Sequence, residues 1–213
     1  RWELFQKNNG KTLETLNPQR FSAVDGSRLK PTEQLQRIFD GNDYNMRDGI
    51  VGCAMSHIKL YTQIINSDST FYCILEDDVT LTDNFHKKFI SVVRQLKDTK
   101  WDLCYLGHHV WEQYKSERDY DKTVEPVIEK WSTAKSLERS MGGTGGYLIT
   151  KEGARKMLDY INRVGMTNAI DTMQQKAADH MNIYYTTPHL IYSECWTPSN
   201  QNVDTDIANS TKS

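Results

Sequence analysis

The segment Phe71-Tyr72-Cys73-Ile74-Leu75-Glu76-Asp77-Asp78 runs from five apolar residues straight into three consecutive carboxylates. A continuous apolar run of this length, bounded by polar residues, is expected to be a strand covered on both faces of a sheet. The carboxylates then lie at the strand's C-terminal end, the edge where open α/β sheets bind their ligands. Side chains alternate along an extended segment, which puts Glu76 and Asp78 on one side and Asp77 on the other. Two carboxylates on one side repel unless a cation lies between them or one is protonated. Hard oxygens suit Mg²⁺ or Mn²⁺, above all where a diphosphate completes the coordination shell. Taken alone, the same residues also fit an acidic, solvated turn in front of a helix capped by Asp83.

Outward from this segment, strands and helices alternate. Residues 50–65 carry apolar side chains at 50, 51, 54, 55, 58, 61, 64 and 65, a helical stripe. A second helix is expected over 84–96, and a buried strand over 101–106 ends at Gly107. A strand at 146–149 leads into a helix over Lys151–Val164, with Thr150 as its N-cap and Glu152 in its first turn. Weaker patterns give a loose helix over 2–16, a strand over 21–24 stopped by Asp25-Gly26, and a short helix after Pro31. Further pieces are a strand over 124–128, a helix near 171–180, and strands over 183–185 and 189–192. The alternation predicts one α/β domain over residues 1–213 with a mostly parallel central sheet. The charged stretch 108–140 and the polar tail 193–213 are expected to be mobile and to order over the site.

Composition narrows the function. At 213 residues, 38% hydrophobic and 25% charged, the chain lies outside the disordered regime and is long enough to bury roughly 70% of its unfolded surface. Eleven tyrosines, six phenylalanines and five tryptophans supply large burial per residue. With 26 basic and 28 acidic residues, no positive excess marks a nucleic-acid partner or an anionic membrane surface. The longest apolar runs are too short to span a bilayer, so no transmembrane segment is expected. Cysteines at 53, 73, 104 and 195 form no CxxC pair and match no zinc spacing. Cys73 and Cys104 are expected to act as small core hydrophobes in a reducing compartment. No signal peptide is visible, and a cytoplasmic location is expected.

Four other clusters carry possible chemistry. Met141-Gly142-Gly143-Thr144-Gly145-Gly146 permits close backbone approach to a ligand, or is a flexible turn before a strand. It lacks the Lys-Ser/Thr of a phosphate-binding P-loop. Ser56-His57 lies on the 50–65 helix, as packing residues or as ligands. Asp171 starts a helix, as a cap or as a functional carboxylate. Asp204 and Asp206 either complete a metal site or solubilise the tail. Trp111, Trp131 and Trp196 are expected in polar loops, offering an aromatic face to a ligand or anchoring those loops.

The order of these segments resembles glycosyltransferase family 25, which includes bacterial lipopolysaccharide glycosyltransferases and procollagen galactosyltransferases and has members in large DNA viruses. The resemblance rests on Ala23-Val24-Asp25-Gly26, Gly52-Cys53-Ala54-Met55-Ser56-His57, Ile74-Leu75-Glu76-Asp77-Asp78-Val79, Gly145-Gly146-Tyr147-Leu148-Ile149-Thr150, Ile170-Asp171 and Thr205-Asp206-Ile207. It implies an α/β/α nucleotide-diphospho-sugar transferase domain of the GT-A type. The implied activity moves a hexose, galactose or glucose, from a UDP-sugar donor to a hydroxyl of a glycan or glycoprotein acceptor. It further implies a divalent cation, Mn²⁺ before Mg²⁺, on Glu76, Asp78 and Asp206, with Asp204 the alternative to Asp206. The donor would meet Ala23, Val24, Asp25, Gly26, Ser56, His57, Glu76, Asp77, Thr144 and Gly145. Asp171 would receive the acceptor proton. Two other functions remain open: a sugar-nucleotidyltransferase, which usually needs a basic glycine-rich triphosphate loop, and a catalytically silent nucleotide-sugar or cation binding module.

Overall fold

The structure is a computed structural model that describes residues 1–43, 47–109, 124–134 and 142–193. Trp111, Cys195, Trp196, Asp204, Asp206 and most of the two segments expected to be mobile therefore lie outside the described residues.

The elements follow the hydrophobic periodicity closely. Helix α3 (Asp48–Ile65) buries Ile50, Val51, Ala54, Tyr61 and Ile64 along one stripe. It follows α1 (Trp2–Leu16) and α2 (Glu33–Ile38). Strands β1 (Phe71–Leu75) and β2 (Val79–Leu81) lead to α4 (Phe85–Lys97) and β3 (Leu103–His109). Then come β4 (Val127–Lys130), β5 (Gly142–Thr150), α5 (Lys151–Val164), α6 (Ile170–Lys176), β6 (Ile183–Thr187) and β7 (Ile191–Ser193). Thr150 caps α5 as expected, its hydroxyl accepting from the Gly153 N–H at 2.9 Å.

Five strands form the central sheet in the order β1-β5-β3-β6-β4, and β2 pairs with β7 beside it. The expectation of a mostly parallel sheet is corrected here. Among the described residues, only β3 and β6 pair in parallel, while β1–β5, β3–β5 and β4–β6 are antiparallel. The β1–α4–β3 crossover does leave β1 and β3 pointing the same way, as strand–helix–strand alternation requires. Strand β5 then inserts between them in reverse, so β1 and β3 do not pair with each other.

The first strand is corrected as well. β1 is an edge strand, half-exposed throughout, and Cys73 on it is exposed rather than a core residue. The segment 21–24 forms no strand; its backbone is held by a side chain of α3. β3 continues through Gly107 to His109, and β5 already begins at Gly142, so the glycine run lies within a strand. Trp131 is buried among Tyr105, His108 and Tyr185 and offers no open face to a sugar.

Apolar residues alternate across the sheet and build a core on each side. Leu103, Tyr105, Tyr147, Ile149, Ile183 and Tyr185 pack with α3, α5 and α6. Cys104, Leu106, Leu148 and Ile191 pack with α1, α4 and β2. Helices thus cover both faces. Among the described residues, no helix is long and apolar enough to cross a membrane.

Candidate active site

Antiparallel pairing decides where the chemistry gathers. Leu75 stands opposite Gly146, so the start of β5 runs beside the carboxylates that follow β1. The Glu76 N–H donates to the Gly145 carbonyl at 2.8 Å, extending the ladder one residue past the strand. The Thr144 hydroxyl then donates to Glu76 Oε1. His57, buried on α3, approaches the same oxygen through Nε2 at 3.7 Å. Burial would raise the Glu76 carboxyl. The hydrogen bond and charge of His57, the Thr144 hydroxyl and the Arg1 cation outweigh it and hold the group below its ordinary pKa.

Asp77 turns away, exposed, with Arg1 Nη1 at 3.8 Å. Asp78 is half-buried. Its charge, with those of Glu76 and Asp171, adds to burial in pushing the Cys53 thiol up. All three carboxylates therefore act on one sulfur, and Cys53, His57 and Glu76 hold their ligand atoms within 4.8 Å of one another. Glu76 and Asp78, two residues apart, offer the carboxylate oxygens that a hard divalent cation takes, and Glu76 lies beside the buried His57 imidazole.

Asp171 lies in the first turn of α6. Its Oδ2 accepts from the Gly143 N–H at 3.0 Å and its Oδ1 from the Thr172 N–H at 2.7 Å. Gly143 has φ 85°, a conformation that side-chain-bearing residues rarely adopt, and this turns its N–H toward the carboxylate. A side chain at neighbouring Gly142 would meet Asp171 Oδ2 at 3.3 Å. Glycine here shapes a seat for Asp171, while Thr144, one residue on, serves Glu76.

The 23–26 loop is fastened to the same helix. The Val24 N–H donates to Ser56 Oγ at 2.8 Å, and that hydroxyl donates to the Gly52 carbonyl at 2.7 Å. A Cβ on Gly52 would lie 2.7 Å from the Val24 carbonyl and 2.9 Å from the Gly26 nitrogen, so backbone meets backbone there. Ser56 is thus spent on positioning the loop. Asp25 is exposed and caps the turn at 26–28, accepting from the Ser27 hydroxyl at 2.6 Å and pairing with Arg28 at 2.9 Å. These bonds, the Ser27 hydroxyl foremost, hold its carboxyl below the ordinary range. Ala23 is exposed, and Val24 and Gly26 half-exposed.

Beneath the carboxylates lies a buried polar chain absent from the sequence reading. His57 Nδ1 meets the Tyr147 hydroxyl at 2.7 Å, and Tyr147 donates to the Tyr61 hydroxyl at 3.3 Å. Gln174 Nε2 donates to Tyr61 at 2.8 Å, and Tyr105 donates to Gln174 Oε1 at 2.8 Å. Burial raises the phenols, Tyr61 to about 12, so they stay protonated donors. The chain connects His57 on α3 to Gln174 on α6, three residues beyond Asp171. Spacing held a faint signal: Tyr61 is one turn beyond His57, on the same face of α3.

The profile of glycosyltransferase family 25 (LPS biosynthesis protein) matches residues 1–174. A protein of Acanthamoeba polyphaga mimivirus described as a glycosyltransferase is 28% identical over 192 residues, covering 88% of this chain and 57% of its own. Human procollagen galactosyltransferase 2 is 28% identical over 150 residues, 64% of this chain and 22% of that protein. A Haemophilus influenzae protein, also described as a glycosyltransferase, is 28% identical over 133 residues, 60% of this chain and 42% of its own length. The chain thus spans well under two thirds of these relatives. The matched span includes the 23–26 loop, the Ser56-His57 helix, the Glu76-Asp77-Asp78 edge, the glycine strand and Asp171, and on it the chain belongs to glycosyltransferase family 25.

Proposed function

We propose that this chain transfers a hexose, galactose or glucose, from a UDP-sugar to a hydroxyl of a glycan or glycoprotein, using a GT-A type domain. One observation carries the reading. Glu76 and Asp78 from one segment and Asp171 from another, about a hundred residues away, are drawn to one strand start, where β5 supplies a backbone N–H to Asp171 and a hydroxyl to Glu76. Separate solvated acidic turns would not need such seats.

Glu76 and Asp78 are the residues that would hold the divalent cation, Mn²⁺ before Mg²⁺, and Asp206 is proposed as a further ligand. Such a cation supplies charge stabilisation, worth several kcal/mol in general, to the diphosphate as it leaves. The chain's own residues do the rest. Ser56 and Gly52 fix the 23–26 loop, proposed to receive the nucleoside together with His57. Thr144 and His57 keep Glu76 ionised and oriented. The acceptor oxygen bonds to the anomeric carbon while the bond from that carbon to the diphosphate oxygen breaks, through an oxocarbenium-like transition state. The acceptor's proton passes to Asp171, whose carboxylate is held by two N–H donors on rigid elements. A base in this role belongs to a single displacement, which inverts the anomeric centre.

A UDP-release assay over a panel of UDP-sugars, with and without Mn²⁺, tests the reading. Release from UDP-galactose or UDP-glucose that needs the cation is expected. A nucleotidyltransferase would instead form pyrophosphate from a nucleoside triphosphate, and a silent binding module would bind UDP without release.

A further inference from the structure

Cys53 and His57 lie one turn apart on α3, and Glu76 faces them from the end of β1. A thiol sulfur, an imidazole nitrogen and a carboxylate oxygen therefore all lie within 4.8 Å of one another. The hydrogen bonds fix how the imidazole presents itself. Tyr147 gives its hydroxyl proton to Tyr61, so His57 Nδ1 donates to Tyr147 and Nε2 is turned toward Glu76. Nε2 and Glu76 Oε1, 3.7 Å apart, are both acceptors unless a positive charge lies between them. A proton or a metal ion supplies it. A metal-bound histidine typically donates its other ring N–H to a fixed partner, which is the part Tyr147 plays.

The donor set distinguishes among metals. Sulfur with imidazole is poorly matched to Mg²⁺ or Mn²⁺ and well matched to Zn²⁺. Three protein ligands leave the fourth tetrahedral position open, the pattern of an exchangeable ion and not of a closed structural site. The charges of Asp171 and Asp78 also act on Cys53, and negative charge there favours a cation.

We propose that Cys53, His57 and Glu76 form a binding site for a thiophilic divalent cation of the Zn²⁺ class. It shares Glu76 with the hard-cation site of the proposed transferase. If that reading holds, the two ions exclude each other, and Zn²⁺ competes with Mn²⁺. On binding, the Cys53 S–H proton is released to solvent and the thiolate bonds to the metal.

Co²⁺ is the probe, added to the full chain in the wild type and in Cys53→Ser and Cys73→Ser variants. One Co²⁺ per chain, with a thiolate-to-cobalt charge-transfer band that Zn²⁺ abolishes, is expected in the wild type. Cys53→Ser should lose the band and weaken Zn²⁺ binding by about 100-fold or more; Cys73→Ser, at an exposed position, should keep both. Absence of the band in the wild type, or its survival in Cys53→Ser, overturns the site. Should Cys53→Ser fail to fold, alkylation of the wild type read by peptide mass spectrometry decides the matter. Zn²⁺ should protect Cys53 and not Cys73, and equal labelling with and without Zn²⁺ overturns the proposal. None of these readouts needs a sugar donor, so their failure leaves the transferase reading standing. Conversely, a cobalt band that persists at saturating Mn²⁺ and UDP counts against sharing of Glu76, not against the thiophilic site.

Discussion

At the scale of single residues, Glu76 is the hinge between stability and chemistry. Its pKa in the folded protein lies below the ordinary value of 4.5, because the His57, Thr144 and Arg1 contacts outweigh its burial. A lowered carboxylate favours the folded state at any pH above its unfolded pKa and loses that contribution as pH falls through the folded one. Glu76→Gln should therefore destabilise the protein at pH 7. The difference from wild type should close below about pH 4.5 as the native carboxyl protonates. Urea melts at pH 7 and pH 3 measure this; a gap that widens on acidification would contradict it. Asp78 has a different part. It follows the strand instead of lying within it, so Asp78→Ala should leave the melting temperature nearly unchanged while abolishing cation-dependent UDP affinity. Calorimetry with UDP and Mn²⁺ reads the affinity, and undiminished UDP binding in excess EDTA would contradict the assignment. The Tyr147–Tyr61–Gln174–Tyr105 chain was illegible from sequence for a physical reason. Its members come from β5, α3, α6 and β3, and a buried tyrosine that hydrogen-bonds looks in sequence like one that merely packs.

At the scale of elements, periodicity was a faithful guide wherever one face is buried. The α3 stripe and the Thr150-capped α5 match their sequence patterns almost residue for residue. It failed where an element is short or held by something outside itself. β2 has three residues, paired with β7, and is too short to show alternation. The 21–24 segment has strand-like side chains but owes its course to Ser56. Glycine was misleading in β5, where small residues allow close approach and a seat for Asp171 within a strand instead of breaking it. The contact of the 23–26 loop with α3 yields the prediction at this scale. Gly52→Ala places a methyl 2.7 Å from the Val24 carbonyl, and backbone on both sides must give way. A loss of roughly 1–3 kcal/mol is expected, with weakened UDP affinity as the loop shifts. Thermal melting and UDP titration check both; wild-type stability together with wild-type affinity would show that the contact is slack.

At the scale of the whole molecule, strand–helix alternation correctly implies helices on both faces of one sheet, and β1 and β3 aligned. It cannot show that β5 enters between them in reverse, because strand order is set by tertiary packing and not by local pattern. That insertion has a functional consequence. A parallel neighbour would bring its own C-terminal end beside Glu76, whereas antiparallel β5 brings its glycine-rich beginning. Its consecutive residues Gly143 and Thr144 then serve Asp171 on one hand and Glu76 on the other. The fold thus sets Glu76, the proposed cation ligand, and Asp171, the proposed base, against consecutive residues of one strand start, where the proposed transfer takes place. Its most direct test is the rate of UDP release from UDP-galactose and UDP-glucose, with Mn²⁺ and acceptor, in the wild type and in Asp171→Asn. The helix is capped at Ala169 and not by Asp171, so asparagine keeps the shape and an oxygen for the Gly143 N–H but cannot take the proton. The account predicts cation-dependent turnover in the wild type and a kcat lower by roughly 10²–10⁴-fold in the variant, with donor affinity nearly unchanged. Near-normal turnover in Asp171→Asn, or no UDP release from any donor in the wild type, would contradict it.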